Sequence, residues 1–260
     1  MNIIKISDID LNSLDKIKNQ GTKSTIYKYE NKCIKMLDGL YPTEKLILYY
    51  KFLSMEGIKI DGLLMPDDLI IDNNNLCGYT MDFFDCSESL NSYFTKSRYI
   101  NCNEVFKIVQ EVCKILKNVH KNEIIYQDLS FDNILINREK KIMFCDIDGC
   151  KYKNYNAPFV SILLNRLICD YRNEDINVSK NLDKVSIFIS LLYSIYLKEI
   201  QFLTESDYNI LVNSIHPLDN MKKYVDILLD KNKMIPNIPY VDELLNYSTN
   251  YIIDRNLLIK

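Results

Sequence analysis

The stretch IIYQDLSFDNILINREKKIMFCDIDG, residues 124–149, decides how this chain is read. It sets Asp128 and Asn133 five residues apart, continues as the apolar run DNILIN, turns at the charged REKK, returns as KIMFCDI and ends on Asp146 and Asp148. Two short runs rich in Ile and Phe around a polar turn predict a β-hairpin. Such a hairpin carries Asp146 back to the loop that holds Asp128 and Asn133, so oxygen-bearing side chains gather at one end of it. An Asp-x4-Asn pair alone is common in loops, where the side chains bond their own backbone. Joined to strand, turn, strand and a second Asp, it reads as a site.

Working outward, NEVFKIVQEVCKILKNVHKN just before this stretch carries apolar residues at 105, 106, 108, 109, 112, 113, 115, 116 and 119, the wide face of a buried helix. After it, the run VSIFISLLYSIYL, Val185 to Leu197, is too short to span a bilayer and predicts a buried core helix. Helical patterns dominate from about Phe159 onward. The first 80 residues or so differ: TIYKYEN, KCIKML, LLMPDDLIID and LCGYTMDFF are short β-like runs, with Glu30-Asn31 and Asn73-Asn74-Asn75 as hairpin turns. Between them TEKLILYYKFLSMEG reads as one helix, with Thr43 as its cap and Gly57 just past its end. These patterns predict an antiparallel sheet with one inserted helix, followed by a larger helical region.

Composition narrows the chemistry. The 260 residues are 47% hydrophobic with a formal net charge of -3, enough apolar mass for a substantial core and no basic field for nucleic acid. With only His120 and His216, a Ser-His-Asp triad or a His-rich metal site lacks material. The six glycines include no G-x-G pair, which weighs against a dinucleotide fingerprint. Eight cysteines lie in apolar contexts with no C-x-x-C, the pattern of reduced thiols in a cytoplasmic protein. Acids appear within the first eight residues and no long apolar core follows, so neither a signal peptide nor a membrane span is expected.

The 124–149 stretch resembles the catalytic loop and metal-binding motif of the protein kinase-like superfamily, H-R-D-L-x-x-x-N followed by D-F-G. The motifs stand here as Tyr126-Gln127-Asp128-Leu129 with Asn133, and as Asp146-Ile147-Asp148. The likeness extends over roughly Lys16 to Tyr196. It implies a bilobal α+β fold: a small antiparallel sheet with one helix as N-lobe (1–84, hinge near 81–84) and a larger, mainly helical C-lobe (85–260). It also implies an ATP- and Mg2+-dependent phosphotransferase. Asn133 and Asp146 would be the metal ligands, an oxygen-only set suited to Mg2+, and Asp128 would take or orient the proton of the acceptor hydroxyl.

The same resemblance assigns the upstream residues. Lys35 in CIKML would hold the α- and β-phosphates and be held in turn by Glu44 at the start of the helix; a helix-start acid favoured by the macrodipole is the plainer reading of Glu44. NQGTKSTIYKY would cover the phosphates with Gly21, Ser24 and Ile26. Adenine would lie against the hinge at Met81, Asp82 and Phe83, between Cys33 and Leu135. NLDKVSIFISLLYSIY resembles the central C-lobe helix, making Asp183 a structural acid for backbone amides of the catalytic loop.

Departures from the pattern bear on the acceptor. Gln127 stands in place of the loop Arg, Ser130 in place of a Lys, no A-P-E is recognisable, and Asp148 replaces the Gly of D-F-G. Asp148 reads either as the second acid of small-molecule phosphotransferases or as a solvated turn residue. A Ser/Thr of a protein is the first choice of acceptor. A small hydroxylated molecule and a nucleotide-binding pseudokinase are the alternatives.

Overall fold

The computed structural model describes residues 1–17, 24–86, 88–156, 160–204, 219–245 and 252–254. Its first sheet has the order β1 (Ile3–Lys5), β4 (Leu69–Asp72), β5 (Asn75–Asp82), β3 (Lys32–Met36), β2 (Thr25–Tyr29). An interior position gives β3 a partner on each side, so Lys35 lies opposite Ile26 of β2 and Tyr79 of β5. The β5 backbone comes close to it here: an ideal Cβ on Gly78 would stand 2.5 Å from the Lys35 carbonyl oxygen, which leaves room only for glycine.

Both expected hairpins form. Glu30 takes φ 54° between β2 and β3. Asn73 and Asn74, at φ 46° and 67°, link β4 to β5 in the doubly left-handed geometry that suits right-twisted strands. The sheet is not wholly antiparallel, because β1 joins its edge parallel to β4. A three-residue strand is too short to show a period, and a parallel partner lies far away in sequence, so the pattern carried no trace of it.

The inserted helix α1 (Pro42–Ser54) starts one residue before Thr43, which is therefore not its cap. Pro42 occupies the first turn, where its missing N–H costs nothing, and the Tyr41 amide donates to Glu44 Oε2 at 2.7 Å. Gly57, at φ 82°, follows its end. Leu48, Lys51 and Phe52 form its buried face, one turn apart, while Leu46, Ile47 and Tyr50 are exposed.

Helices take over after β6 (Glu88–Ser89): α2 (Leu90–Lys96), then β7 (Tyr99–Asn101) and α3 (Cys102–Lys121). Asn101 caps α3 by accepting the Glu104 amide at 3.3 Å, and Val109, Val112, Leu116 and Val119 bury completely on its inner face. Each such side chain contributes about 1.5–3 kcal/mol of burial. Then come β8 (Ile124–Ile125), β9 (Ile134–Ile136), β10 (Ile142–Phe144) and β11 (Lys151–Tyr152). Pairing of β9 with β10 is the expected hairpin, with Leu135 opposite Met143; β6 adds to β9, and β11 pairs with β8.

Beyond them lie α4 (Ile162–Asn165), which runs on as a π-helical segment to Tyr171, and α5 (Lys180–Tyr196). The chain closes with α6 (Asp219–Leu229), α7 (Val241–Leu244) and β12 (Ile252–Asp254), the last paired with β7. Helix α5 is the buried helix expected from its composition: Val185, Ile187, Phe188 and Leu191 are fully covered, and Leu197 at φ 55° ends it. No described helix is long and apolar enough to cross a membrane. A small sheet carrying one helix, above a helical half, is a bilobal kinase-like α+β arrangement.

Candidate active site

Strand β3 delivers Lys35 into the space between sheet and helices, where only 3% of it remains exposed. Its ammonium donates to Asp148 Oδ1 at 2.7 Å and Asp146 Oδ1 at 2.8 Å. Tyr79, beside it on β5, donates its hydroxyl to the same Asp148 oxygen at 3.0 Å and rests edge-on against Phe52 of α1. Burial works against the charge on Lys35, but Asp148, Tyr79 and Asp146 outweigh it and hold its pKa well above the ordinary value. Asp148 is the complement: burial opposes its ionisation, and the Lys35 charge and hydrogen bonds keep its pKa below the usual range.

Asp128 follows β8 in a loop held from beneath by α5. The Asp183 carboxylate accepts the amides of Tyr126 and Gln127, at 2.6 and 2.8 Å, and Ser186 donates its hydroxyl to the Leu129 carbonyl. Gln127 sits at φ 64°, a left-handed conformation that these bonds maintain. Asp183 thus accepts the backbone hydrogen bonds its sequence context implied. Burial raises the Asp128 carboxyl, and the charges of Asp146 and Asp148 add to it, so its pKa is pushed up to about 6.

The β9–β10 hairpin brings the remaining residues together. Asn133 donates its side-chain amide to the Asp128 carbonyl at 2.7 Å, and its own carbonyl receives the Cys145 amide at 3.0 Å. Asp146 follows at φ 66°, with 43% of its side chain exposed. Asp128, Asn133, Asp146, Asp148 and Lys35 line one cleft of about 490 Å³, whose other walls include Ser24, Asp132, Ile162 and Leu163. Asn133 and Asp146 offer hard oxygens for a divalent cation. Among the described residues no group of three or more His, Cys, Asp or Glu is placed to hold a metal alone.

Other residues singled out from the sequence are placed as follows. Gly21 lies outside the described residues. Ser24 lines the cleft, and Ile26 faces Lys35 across β2 and β3. Cys33 and Met81 face each other across β3 and β5, both buried, and Leu135 packs against the same core. Asp82 ends β5 opposite Lys32; Phe83 follows, its amide bonded to the Asn31 carbonyl and its ring beneath Lys28. Glu44 does not meet Lys35. Its carboxylate closes the first turn of α1 instead, and Asp148 supplies the acid that Lys35 needs. The first turn is where an acid is favoured by the free amides, so the plainer reading of Glu44 stands. Asp148 correspondingly is no solvated turn residue.

The family model described as Protein kinase domain matches residues 67–167, from the start of β4 through the catalytic-loop hairpin to α4. Over that span the chain is similar to a protein kinase domain. Strand β3 with Lys35 and helix α1 fall outside the matched span, and it is there that Lys35 pairs with Asp146 and Asp148 and Glu44 closes the first turn of α1. No curated protein matches the chain.

Three residues that build this site are not singled out by the sequence pattern. Lys51, with no exposed surface, reaches from α1 to the carbonyls of Asp148 and Cys150, both at 2.8 Å. Its signal was present: a lysine at helical spacing between Leu48 and Phe52 on an apolar face. Tyr79 reads in sequence as ordinary strand packing. His120 bridges Asp183 at 3.0 Å and the Tyr240 hydroxyl at 2.8 Å, which makes one of the two histidines part of the scaffold under the loop.

Proposed function

We propose that this protein is an ATP- and Mg2+-dependent kinase that moves the γ-phosphoryl group to a hydroxyl, with Ser/Thr of a protein as acceptor. The observation that carries the reading is the convergence of Asp128, Asn133, Asp146 and Lys35 on one cleft. Phosphoryl transfer asks little covalent work of a protein; it asks for position and charge. Lys35, already held in charged form, binds phosphate oxygens. Asn133 and Asp146 hold Mg2+, which when bound offsets the negative charge of the triphosphate. Asp128 orients the acceptor O–H and accepts its proton as the new O–P bond forms and the bond between the γ-phosphorus and the bridging oxygen breaks, releasing ADP. A carboxyl with a pKa near 6 is a better base than an ordinary aspartate and is still ionised at neutral pH.

Adenine would rest near the hinge at Met81, Asp82 and Phe83, between Cys33 and Leu135, with Ser24, Ile26 and the segment around Gly21 over the phosphates. The matched family, named for protein substrates, supports a protein acceptor. The cleft itself favours a second reading: four aspartates line it, Asp128, Asp132, Asp146 and Asp148, a surface suited to a small hydroxylated cation. The eight free thiols suit a reducing compartment, and we place the reaction in the cytoplasm.

Incubation with Mg2+ and γ-labelled ATP, with Ser/Thr-containing proteins and separately with a panel of hydroxylated small molecules, tests both readings. Label is expected in protein substrate from the unaltered chain and not from Asp128→Ala or Asp146→Ala. Label only in a small molecule would move the acceptor to the second reading. No transfer, with no shift of unfolding temperature on adding nucleotide, would leave a partner-binding pseudokinase.

A further inference from the structure

Lys51 is the buried cation that the proposed chemistry does not use. It has no exposed surface, and among the described residues its ammonium is held by main-chain carbonyls, of Asp148 and Cys150, with no carboxylate in salt-bridge range. An ammonium taken out of water is costly unless its hydrogen bonds fix something of use. What it fixes here is a five-residue stretch, 146–150, that presents Asp146 and Asp148 to Lys35 and then passes Gly149 beside Asp128, where an ideal Cβ would stand 3.4 Å from Asp128 Cβ. Burial lowers the Lys51 pKa, with nearness to Lys35 adding to it, while Cys150 and Asp148 work the other way. The charges are exchanged relative to expectation: α1 contributes a cation, and the acid for Lys35 comes from the segment that this cation holds.

We propose that Lys51 is a positioning residue of the nucleotide site, acting through Asp148 by pinning the main chain that carries it. The inference rests on the kinase reading above. Lys51 touches neither phosphate nor acceptor; it keeps Asp148 against Lys35 and Gly149 against Asp128.

Titration calorimetry of the full chain with Mg·ATP, combined with urea unfolding, tests it through a double-mutant cycle. Lys51→Met and Asp148→Asn are each expected to weaken Mg·ATP binding by about tenfold. The double variant Lys51→Met/Asp148→Asn is expected to lose about the same tenfold, because both changes release one element. Lys51→Gln, which keeps an N–H donor for the carbonyls, recovers part of the loss and replaces Lys51→Met in the cycle should that variant fail to fold. Val225→Ala, at a buried position of α6 in the helical half, lowers stability without changing affinity. Losses that multiply to about a hundredfold in the double variant, or Lys51→Met binding as well as Lys51→Gln, would overturn the inference while leaving the kinase reading intact. Failure of the unaltered chain to bind Mg·ATP would overturn both.

Discussion

His120 Nε2 lies 3.0 Å from Asp183 Oδ2, the same oxygen that receives the Tyr126 amide. A buried histidine on α3 and a buried acid on α5 therefore close over the backbone of the loop that carries Asp128. His120 Nδ1 lies 2.8 Å from the Tyr240 hydroxyl, which ties α7 to the same point. Asp183 is the hub, with three donors on two oxygens.

Removing that hub leaves buried amides without partners. Asp183→Ala is expected to cost about 3–5 kcal/mol in urea unfolding, and to lower phosphotransfer beyond what the folded fraction explains. A loss below about 1 kcal/mol would show that the loop holds itself.

Asp128 carries its own penalty for readiness. Its folded-state pKa of about 6 lies above the unfolded value, so its contribution to stability is full at acid pH and is lost as pH rises through about 6. In metal-free protein, Asp128→Asn is expected to be more stable than the parent by up to about 3 kcal/mol near pH 8, the gap closing by about pH 4. Unfolding curves that coincide near pH 8 would refute the raised carboxyl.

Glu44 offers a direct test of the rearranged ion pair. Because it closes the first turn of α1, Glu44→Ala is expected to cost about 1 kcal/mol of stability and to leave Mg·ATP affinity unchanged. A tenfold loss of affinity, about 1.4 kcal/mol, would put Glu44 back beside Lys35.

Tyr126 buries a hydroxyl that has no hydrogen-bond partner among the described residues, its ring set edge-on to Phe144. Tyr126→Phe removes the unpaired group and keeps the packing. We expect a gain of about 1 kcal/mol in unfolding free energy with the loop unaltered; a loss of similar size would mean the hydroxyl has a partner in solution.

What was legible in the sequence follows from how each feature is encoded. The catalytic hairpin showed in the spacing of Asp128, Asn133 and Asp146 around two apolar runs, and α3 and α5 showed in long periodic faces, because those signals are local and repeat. The parallel edge strand Ile3–Lys5 did not show: three residues have no period, and their partner is Leu69–Asp72. The acid that meets Lys35 was misassigned because an acid on a helix is the nearer candidate in chain order, whereas Asp148 arrives by a long-range contact that no spacing records. Lys51 was passed over because a lone lysine on an apolar face ordinarily snorkels to water.

Gly149 stands between Asp148, gripped from the sheet side, and Asp128, whose Cβ would lie 3.4 Å from a Cβ placed on the glycine. Sheet and helical half thus meet at this glycine as well as at the Lys35–Asp146 pair. Because Lys51 bonds the carbonyls on either side of Gly149, of Asp148 and of Cys150, the placement of α1 and the placement of the glycine beside Asp128 are one coordinate rather than two.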